Sequence, residues 1–285
     1  MANSKIWRVL YKEGDSDSWS ELEAENGYWY ADPMLFRYKG ETYLFTEAFN
    51  EILQIGYLAV SKYVDGRFTK PTLIMKRLYH LSYPCVFEFE GSIYMIPETG
   101  QNGTLELWKA EGDLYHWKKE AILLKHVKFA DNTILIKSGK LFLFSYLEVG
   151  EFSTLIYELD LKHNEVKLLE KIKHDSNQYR PAGNFYVKGN KLYRPVQYNV
   201  NSYGERIILK EVLSVTPYVE KTVKEIRADE YGTQWNEMST HTYAQMGDLT
   251  VVDVLDAVDL PVYKRVVLVR KVRNVLFKIK YKLIG

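Results

Sequence analysis

Residues 30–49 read YADPMLFRYKGETYLFTEAF: a polar pair, an apolar run, a glycine turn, a second apolar run and an acid. The outline returns as SYPCVFEFEGSIYMIPE from Ser82, FADNTILIKSGKLFLFSY from Phe129, YRPAGNFYVKGNKLYRPVQ from Tyr179 and THTYAQMGDLTVVD from Thr240. Aligned on Pro33, Pro84, Asn132, Pro181 and Thr242, the copies fall 51, 48, 49 and 61 residues apart, so five units fill the chain. Each unit reads as two short strands joined by a turn at Gly40, Gly91, Gly139, Gly189 or Gly247. Further alternating runs follow, such as IGYLAVS, LELWKA and TLIYELDL. The pattern is a four-stranded antiparallel blade. Five blades set radially predict an all-β, five-bladed β-propeller with a narrow axial funnel, spanning residues 1–260.

Composition agrees with that class. Of 285 residues, 23 are Tyr and 6 Trp, side chains that pack well on pleated surfaces. A single cysteine, Cys85, rules out an internal disulfide framework, and the opening MANSKIWRVLYKEGD lacks the apolar core of a secretory signal. A cytoplasmic location is the expectation. The formal net charge of +1 hides an asymmetry, because Lys264 to Gly285 carries eight Lys or Arg and no acid. On a helical wheel Leu268, Val269, Val272, Val275, Leu276, Ile279 and Leu283 share one arc flanked by those cations. Residues 261–285 are therefore expected to form a basic amphipathic tail that rests on an anionic membrane surface, on the inner face of the plasma membrane. The alternation in FKIKYKLI also fits a strand, or a helix packed on the propeller.

In a propeller the residues that begin each inner strand converge on the axis. Here they are Asp32, Tyr83, Asp131, Arg180 and His241, and the second strands end beside them at Glu47, Glu98, Tyr146, Gln197 and Asp253. Buried charge without partners costs several kcal/mol, so such a ring is either a structural ion-pair network or a site. Glycosyl transfer and glycoside hydrolysis both need a carboxylate beside the anomeric carbon and an acid near the leaving oxygen. Asp32 is assigned the first role and Glu98 the second, with crowding among acids raising the Glu98 pKa. Asp131 grips sugar hydroxyls or holds Arg180. Arg180 suits a phosphate fork, or else a salt bridge to Asp32 or Asp131. His241 binds substrate or is a hydrogen-bonded structural histidine. Glu47 orients, Gln197 contacts substrate, and Tyr83, Tyr146 and Tyr179 offer rings to sugar faces.

Other chemistries find no motif. There is no HExxH, Walker, G-x-G-x-x-G or G-x-S-x-G sequence, and the scattered basic residues of an acidic body argue against nucleic acid. No metal site and no cofactor are assigned. The ADP stretch at Ala31, followed by acids in later blades, resembles the five-bladed enzymes of the arabinanase, invertase and levansucrase group. That resemblance implies a nucleophile or base at Asp32, and less directly at Glu98 and Asp131 an acid and a pKa-tuning carboxylate. A nearer resemblance rests on ADPMLF, HLSYPCVFEFEGSIYMIPET, DNTIL, RPAGNF, LYRPVQ, YG and HTY. These motifs are similar to the propeller domain at the N-terminus of glucosamine inositolphosphorylceramide transferase-type proteins, over roughly Ile6 to Asp256. STHTYA stands where G-x-HT is usual, and the resemblance covers the propeller domain alone.

The reading that follows is a glycosyltransferase-like enzyme of cell-surface polysaccharide or glycolipid assembly. It would use an activated, phosphorylated sugar donor and a glycan or lipid-linked acceptor. An intracellular furanosidase-type hydrolase and a non-catalytic glycan-binding or scaffold propeller are the alternatives.

Overall fold

The computed structural model describes residues 4–16, 18–232, 239–258 and 275, so the predicted tail at 261–285 lies, apart from 275, outside the described residues. Five antiparallel sheets, one per predicted unit, surround a common axis. The first blade runs outward through Tyr28–Tyr38, Glu41–Asn50 and Ile55–Val64 to the short outer strands Arg67–Phe68 and Thr72–Met75. The second contains Ser82–Phe89, Ser92–Glu98, Thr104–Ala110 and Trp117–Lys125; the third Ala130–Lys137, Lys140–Leu147, Phe152–Asp160 and Glu165–His174. The fourth begins with the interrupted inner pieces Arg180–Pro181 and Tyr186–Lys188, then Lys191–Tyr198, Arg206–Val215 and Tyr218–Ile226.

The fifth blade closes the ring. Its inner strands are Tyr243–Met246 and Leu249–Val258, but its outer strands come from the other end of the chain, Ser4–Glu13 and Ser20–Glu21. Ser4–Glu13 pairs with Leu249–Val258 over ten residues, from Ser4 opposite Val258 to Glu13 opposite Leu249. The first and last units are thereby locked together by a full backbone ladder.

The inner hairpins turn in two residues, as in Lys39-Gly40 with φ of 50° and 83°. Positive φ at both positions is the type I′ turn that matches strand twist, and glycine meets it without steric cost at the second position. Apolar side chains alternate off both faces of each sheet, and five buried clusters fill the five seams between blades. Trp108, Phe45 and Met95 belong to the cluster between the first and second blades, whereas Val9 and Tyr11 of the closing strand pack with Leu44 and Val251 between the fifth and first. Packing between blades therefore holds the ring, and the axis is left to polar groups.

At the axial start of the first three inner strands the ladder slips by a bulge, between Ala31 and Met34, Ser82 and Cys85, and Ala130 and Thr133. The bulged residues Asp32, Tyr83 and Asp131 have φ of 51°, 46° and 49°. A bulge re-aims one side chain and frees its backbone N–H from the ladder. Pro33 and Pro84 follow directly, where a ladder donor is not required. In the first three blades the repeated outline in the sequence is thus a repeated bulge that aims Asp32, Tyr83 and Asp131 at the axis.

Candidate active site in the axial funnel

The N–H groups freed by the bulges are captured by carboxylates of neighbouring blades. Asp253 Oδ2 accepts from Asp32 N at 3.2 Å, Asp32 Oδ2 accepts from Tyr83 N at 3.0 Å, and Glu98 Oε2 accepts from Asp131 N at 3.0 Å. Asp131 continues the circuit with its side chain: Arg180 Nε donates to Oδ2 and Nη2 to Oδ1 at 3.1 Å, while Gln197 Nε2 donates to Oδ2 at 2.7 Å. Each of these acids stitches one blade to the next, which accounts for their presence on a buried axis.

Two cations complete the stitching. His241 lies under the Trp7 ring at 4.0 Å, with Nε2 3.0 Å from Asp32 Oδ1 and Nδ1 3.0 Å from Asp253 Oδ1. Burial opposes its charge, but the two carboxylates outweigh burial and push its pKa up to about 10. The same contacts act in reverse on Asp32: against the pull of burial, His241 and the Tyr83 N–H hold its carboxyl below the usual range. Three of the roughly four lone-pair sites on Asp32 are filled, two on Oδ1 by His241 and Thr242 Oγ1 and one on Oδ2, so one site on Oδ2 is left. Asp32, His241 and Asp253 could each offer a ligand atom within 4.8 Å of the others. Both imidazole nitrogens lie 3.0 Å from carboxylate oxygens, Nδ1 without an aligned hydrogen bond.

Arg180 is the second cation. Besides Asp131 it meets Glu148 Oε2 through Nη1 at 3.0 Å and Glu98 Oε2 through Nη2 at 3.6 Å, with the Tyr203 ring 5.6 Å away. The predicted salt bridge to Asp131 is present, and the guanidinium is occupied on every side. Burial first, with the charges of Glu98 and Asp32, pushes the Asp131 carboxyl well above the ordinary range, against the Arg180 guanidinium fork that donates to it beside the Gln197 amide.

Glu47 differs from all of these. It stands opposite Ala31 in the ladder, one position from Asp32, and is buried. Oε1 has no aligned hydrogen bond; its neighbour is His80 Nε2 at 3.2 Å. Gly56 N donates to His80 Nδ1 at 3.0 Å, which places the proton of a neutral ring on Nε2, toward Glu47. A Cβ on Gly56 would lie 2.5 Å from Glu47 Oε1 and 2.7 Å from His80 Cε1, so the pair fits only because residue 56 is glycine. Burial first, and then the charges of Asp32, Glu98 and Asp253 against the opposing pull of His241, drive the Glu47 pKa well above the carboxylate range.

The structure therefore gathers Asp32, Glu47, Glu98, Asp131, Arg180, Gln197 and His241 at the axis. Glu47, to which the sequence assigns only an orienting role, is driven upward by burial and the acids around it, as Asp131 is, whereas the Glu98 carboxylate accepts the Asp131 N–H beside Arg180. Two aromatic assignments are corrected. The Tyr83 ring is fully buried, its hydroxyl accepting from Gly183 N at 2.7 Å, and Tyr146 is buried too, so neither presents a face to a sugar. Tyr179 stacks on His174 at 3.9 Å. The sequence reading missed His80, Glu148, Tyr203 and the cover from Trp7. Tyr203 and Glu148 lie in loops after the second strands, outside the repeated outline, while His80 sits just before the second copy of it.

A sequence profile described as glucosamine inositolphosphorylceramide transferase 1, N-terminal, matches residues 20–257. Glucosamine inositolphosphorylceramide transferase 1 of Arabidopsis thaliana is 29% identical over 228 residues, covering 75% of this chain and 30% of that protein. The protein of the same name from Oryza sativa subsp. indica is 26% identical over 238 residues, covering 76% and 32%. The matched region is thus about a third of the length of these relatives. Among solved structures, the catalytic domain of an α-L-arabinofuranosidase from Coprinopsis cinerea superposes with a TM-score of 0.60 at 13% identity, covering 85% of each chain, a likeness of fold. The chain belongs to the family of the N-terminal domain of glucosamine inositolphosphorylceramide transferase 1.

Proposed function

We propose that this family member binds a sugar in its axial funnel and acts in glycosyl transfer during glycolipid or cell-surface polysaccharide assembly, with Asp32 and Glu47 as the working pair. One observation carries the reading: two carboxyls on adjacent strands sit in surroundings that push them in opposite directions, Asp32 downward and Glu47 upward. A pair of that kind supplies one carboxylate for an oxocarbenium-like centre and one proton for a leaving oxygen. The other axial acids have inter-blade contacts that account for them, whereas Glu47 Oε1 faces His80 and has no aligned hydrogen bond among the described residues. Asp32 Oδ2 keeps the lone pair that would face the anomeric carbon. An activated donor would bring phosphate to Arg180 by replacing Glu148, the most exposed of its three acidic partners at 30%.

The fold shared with an arabinofuranosidase supports a second reading, hydrolysis of a neutral glycan by the same two carboxyls. A thermal-shift comparison separates them. Ligand at a hundred times its Kd adds about 2.7 kcal/mol to stability. Nucleotide-activated or phosphorylated sugars should raise the melting temperature of the wild type and not of Arg180→Ala. Stabilisation by neutral oligosaccharides alone, unchanged in Arg180→Ala, favours hydrolysis. No response to either panel removes the sugar site.

A further inference from the structure

The antiparallel order of every blade fixes which loops share the funnel face. Inner strands begin there, second strands return there, and third strands leave from it. The loops at 51–54, 148–151 and 199–205 follow second strands, and the connector at 76–81 precedes the second blade's inner strand, so all four rise around the funnel mouth. Each carries a large apolar side chain in solvent: Ile52 at 57% exposure, Leu78 at 69%, Val149 at 73% and Val200 at 43%. Exposed apolar residues elsewhere have a simpler origin. Val64, Ile122, Ile136, Leu168, Val187, Leu213, Val219 and Val223 belong to strands, where alternation turns every second residue outward. Loops are ordinarily polar, and Tyr115 is the one exposed apolar loop residue on the opposite face among the described residues.

We propose that this apolar rim inserts into the headgroup region of an anionic bilayer and sets the funnel mouth against the membrane. Four tips drawn from different sectors of a ring define a plane, whereas a groove for a peptide would gather them on one side. The chain itself favours a lipid surface as the occupant. The strand Leu249–Val258 ends at the funnel face, and the sequence beyond it, Lys264 to Gly285, carries eight Lys or Arg without an acid. Basic residues beside exposed apolar ones are the combination that binds anionic headgroups. The inference rests on the proposed lipid-linked acceptor and gives that acceptor its direction of approach.

The test needs neither donor nor turnover, so its failure is distinct from failure of the transferase reading. Cys85 is buried and burial pushes its thiol up to about 12, which leaves an introduced cysteine as the reactive one. Leu78→Cys, Val149→Cys and, on the opposite face, Val187→Cys would each be labelled with an environment-sensitive fluorophore. They would then be mixed with phosphatidylcholine vesicles with and without phosphatidylserine. The rim positions should shift to the blue with the anionic vesicles only, and Val187→Cys should not respond. In co-flotation, the full chain carrying Ile52→Ser, Leu78→Ser and Val149→Ser should need at least about tenfold more lipid for half-binding than the wild type. Equal flotation of that variant, a shift at Val187→Cys matching the rim, or a wild type that never floats overturns the proposal.

Discussion

The two sides of the axis use one device with different cations. Between the fifth and first blades, His241 is held by Asp32 and Asp253; across the second to fourth blades, Arg180 is held by Asp131, Glu98 and Glu148. Both join strands that packing alone would leave with buried, unsatisfied acids. They differ in what pH can do to them, because a guanidinium keeps its proton throughout the working range and an imidazolium does not. The Arg180 side is a permanent tie. The His241 side, next to Glu47, can change its charge, and it is there that the candidate chemistry sits.

The comparison breaks first at His241. His241→Leu leaves Asp32 and Asp253 buried together without a cation and should cost about 3–5 kcal/mol in denaturant unfolding. Arg180→Met should cost about as much or less, because Glu98 and Glu148 are partly exposed and Asp131 keeps the Gln197 amide. A larger loss at Arg180 than at His241 would reverse the ranking of the two sides.

The pH dependence sharpens the same point. His241 is raised in the fold, so its contribution is complete below the unfolded value of about 6.5 and is lost as pH climbs through about 10. Glu47, a carboxyl raised by burial, acts with the same sign, since its deprotonation above the ordinary carboxylate range is resisted in the fold. Wild-type stability should therefore fall between pH 7 and 10 by on the order of 3–5 kcal/mol. The decline should flatten in His241→Leu and persist in Arg180→Met. Equal slopes in all three proteins would contradict the assignment of the titrating tie to His241.

Smaller effects concern the Glu47 pocket. Gly56→Ala drives a Cβ against the Leu81 carbonyl as well as Glu47 and His80 and should cost about 1–3 kcal/mol by overpacking. Glu47→Gln, which mimics the protonated carboxyl, should add about 1 kcal/mol at neutral pH and abolish turnover once a substrate is in hand. Asp32→Asn should lose turnover at least about a hundredfold, because an amide can serve neither as base nor as nucleophile. Substantial activity in either protein would remove that residue from the mechanism.

Much of this was legible in the chain because the bulge recurs. A bulged residue at the start of each of the first three inner strands, with proline or asparagine after it, makes Asp32, Tyr83 and Asp131 readable as axial by spacing alone. The closing strand was not readable, because IWRVLYKE has no partner copy and its ladder spans the whole chain. Nor was the division of labour among the acids. Asp32, Glu98, Asp131 and Asp253 look like equivalent carboxyls in the sequence. What separates them from Glu47 is the partner each one reaches: Asp253, Asp32 and Glu98 a backbone N–H freed by a bulge, and Asp131 the Arg180 guanidinium and the Gln197 amide. The Glu47–His80 contact depends on Gly56, a residue whose importance lies in a side chain it lacks.

The most direct test of the account is an infrared spectrum of the wild type at pH 7, compared with Glu47→Gln and Asp32→Asn. The account predicts a carbonyl stretch from a protonated carboxyl that disappears in Glu47→Gln and survives in Asp32→Asn. A wild-type spectrum without that band, or a band lost from Asp32→Asn instead, would contradict the claim that these two carboxyls are pushed in opposite directions.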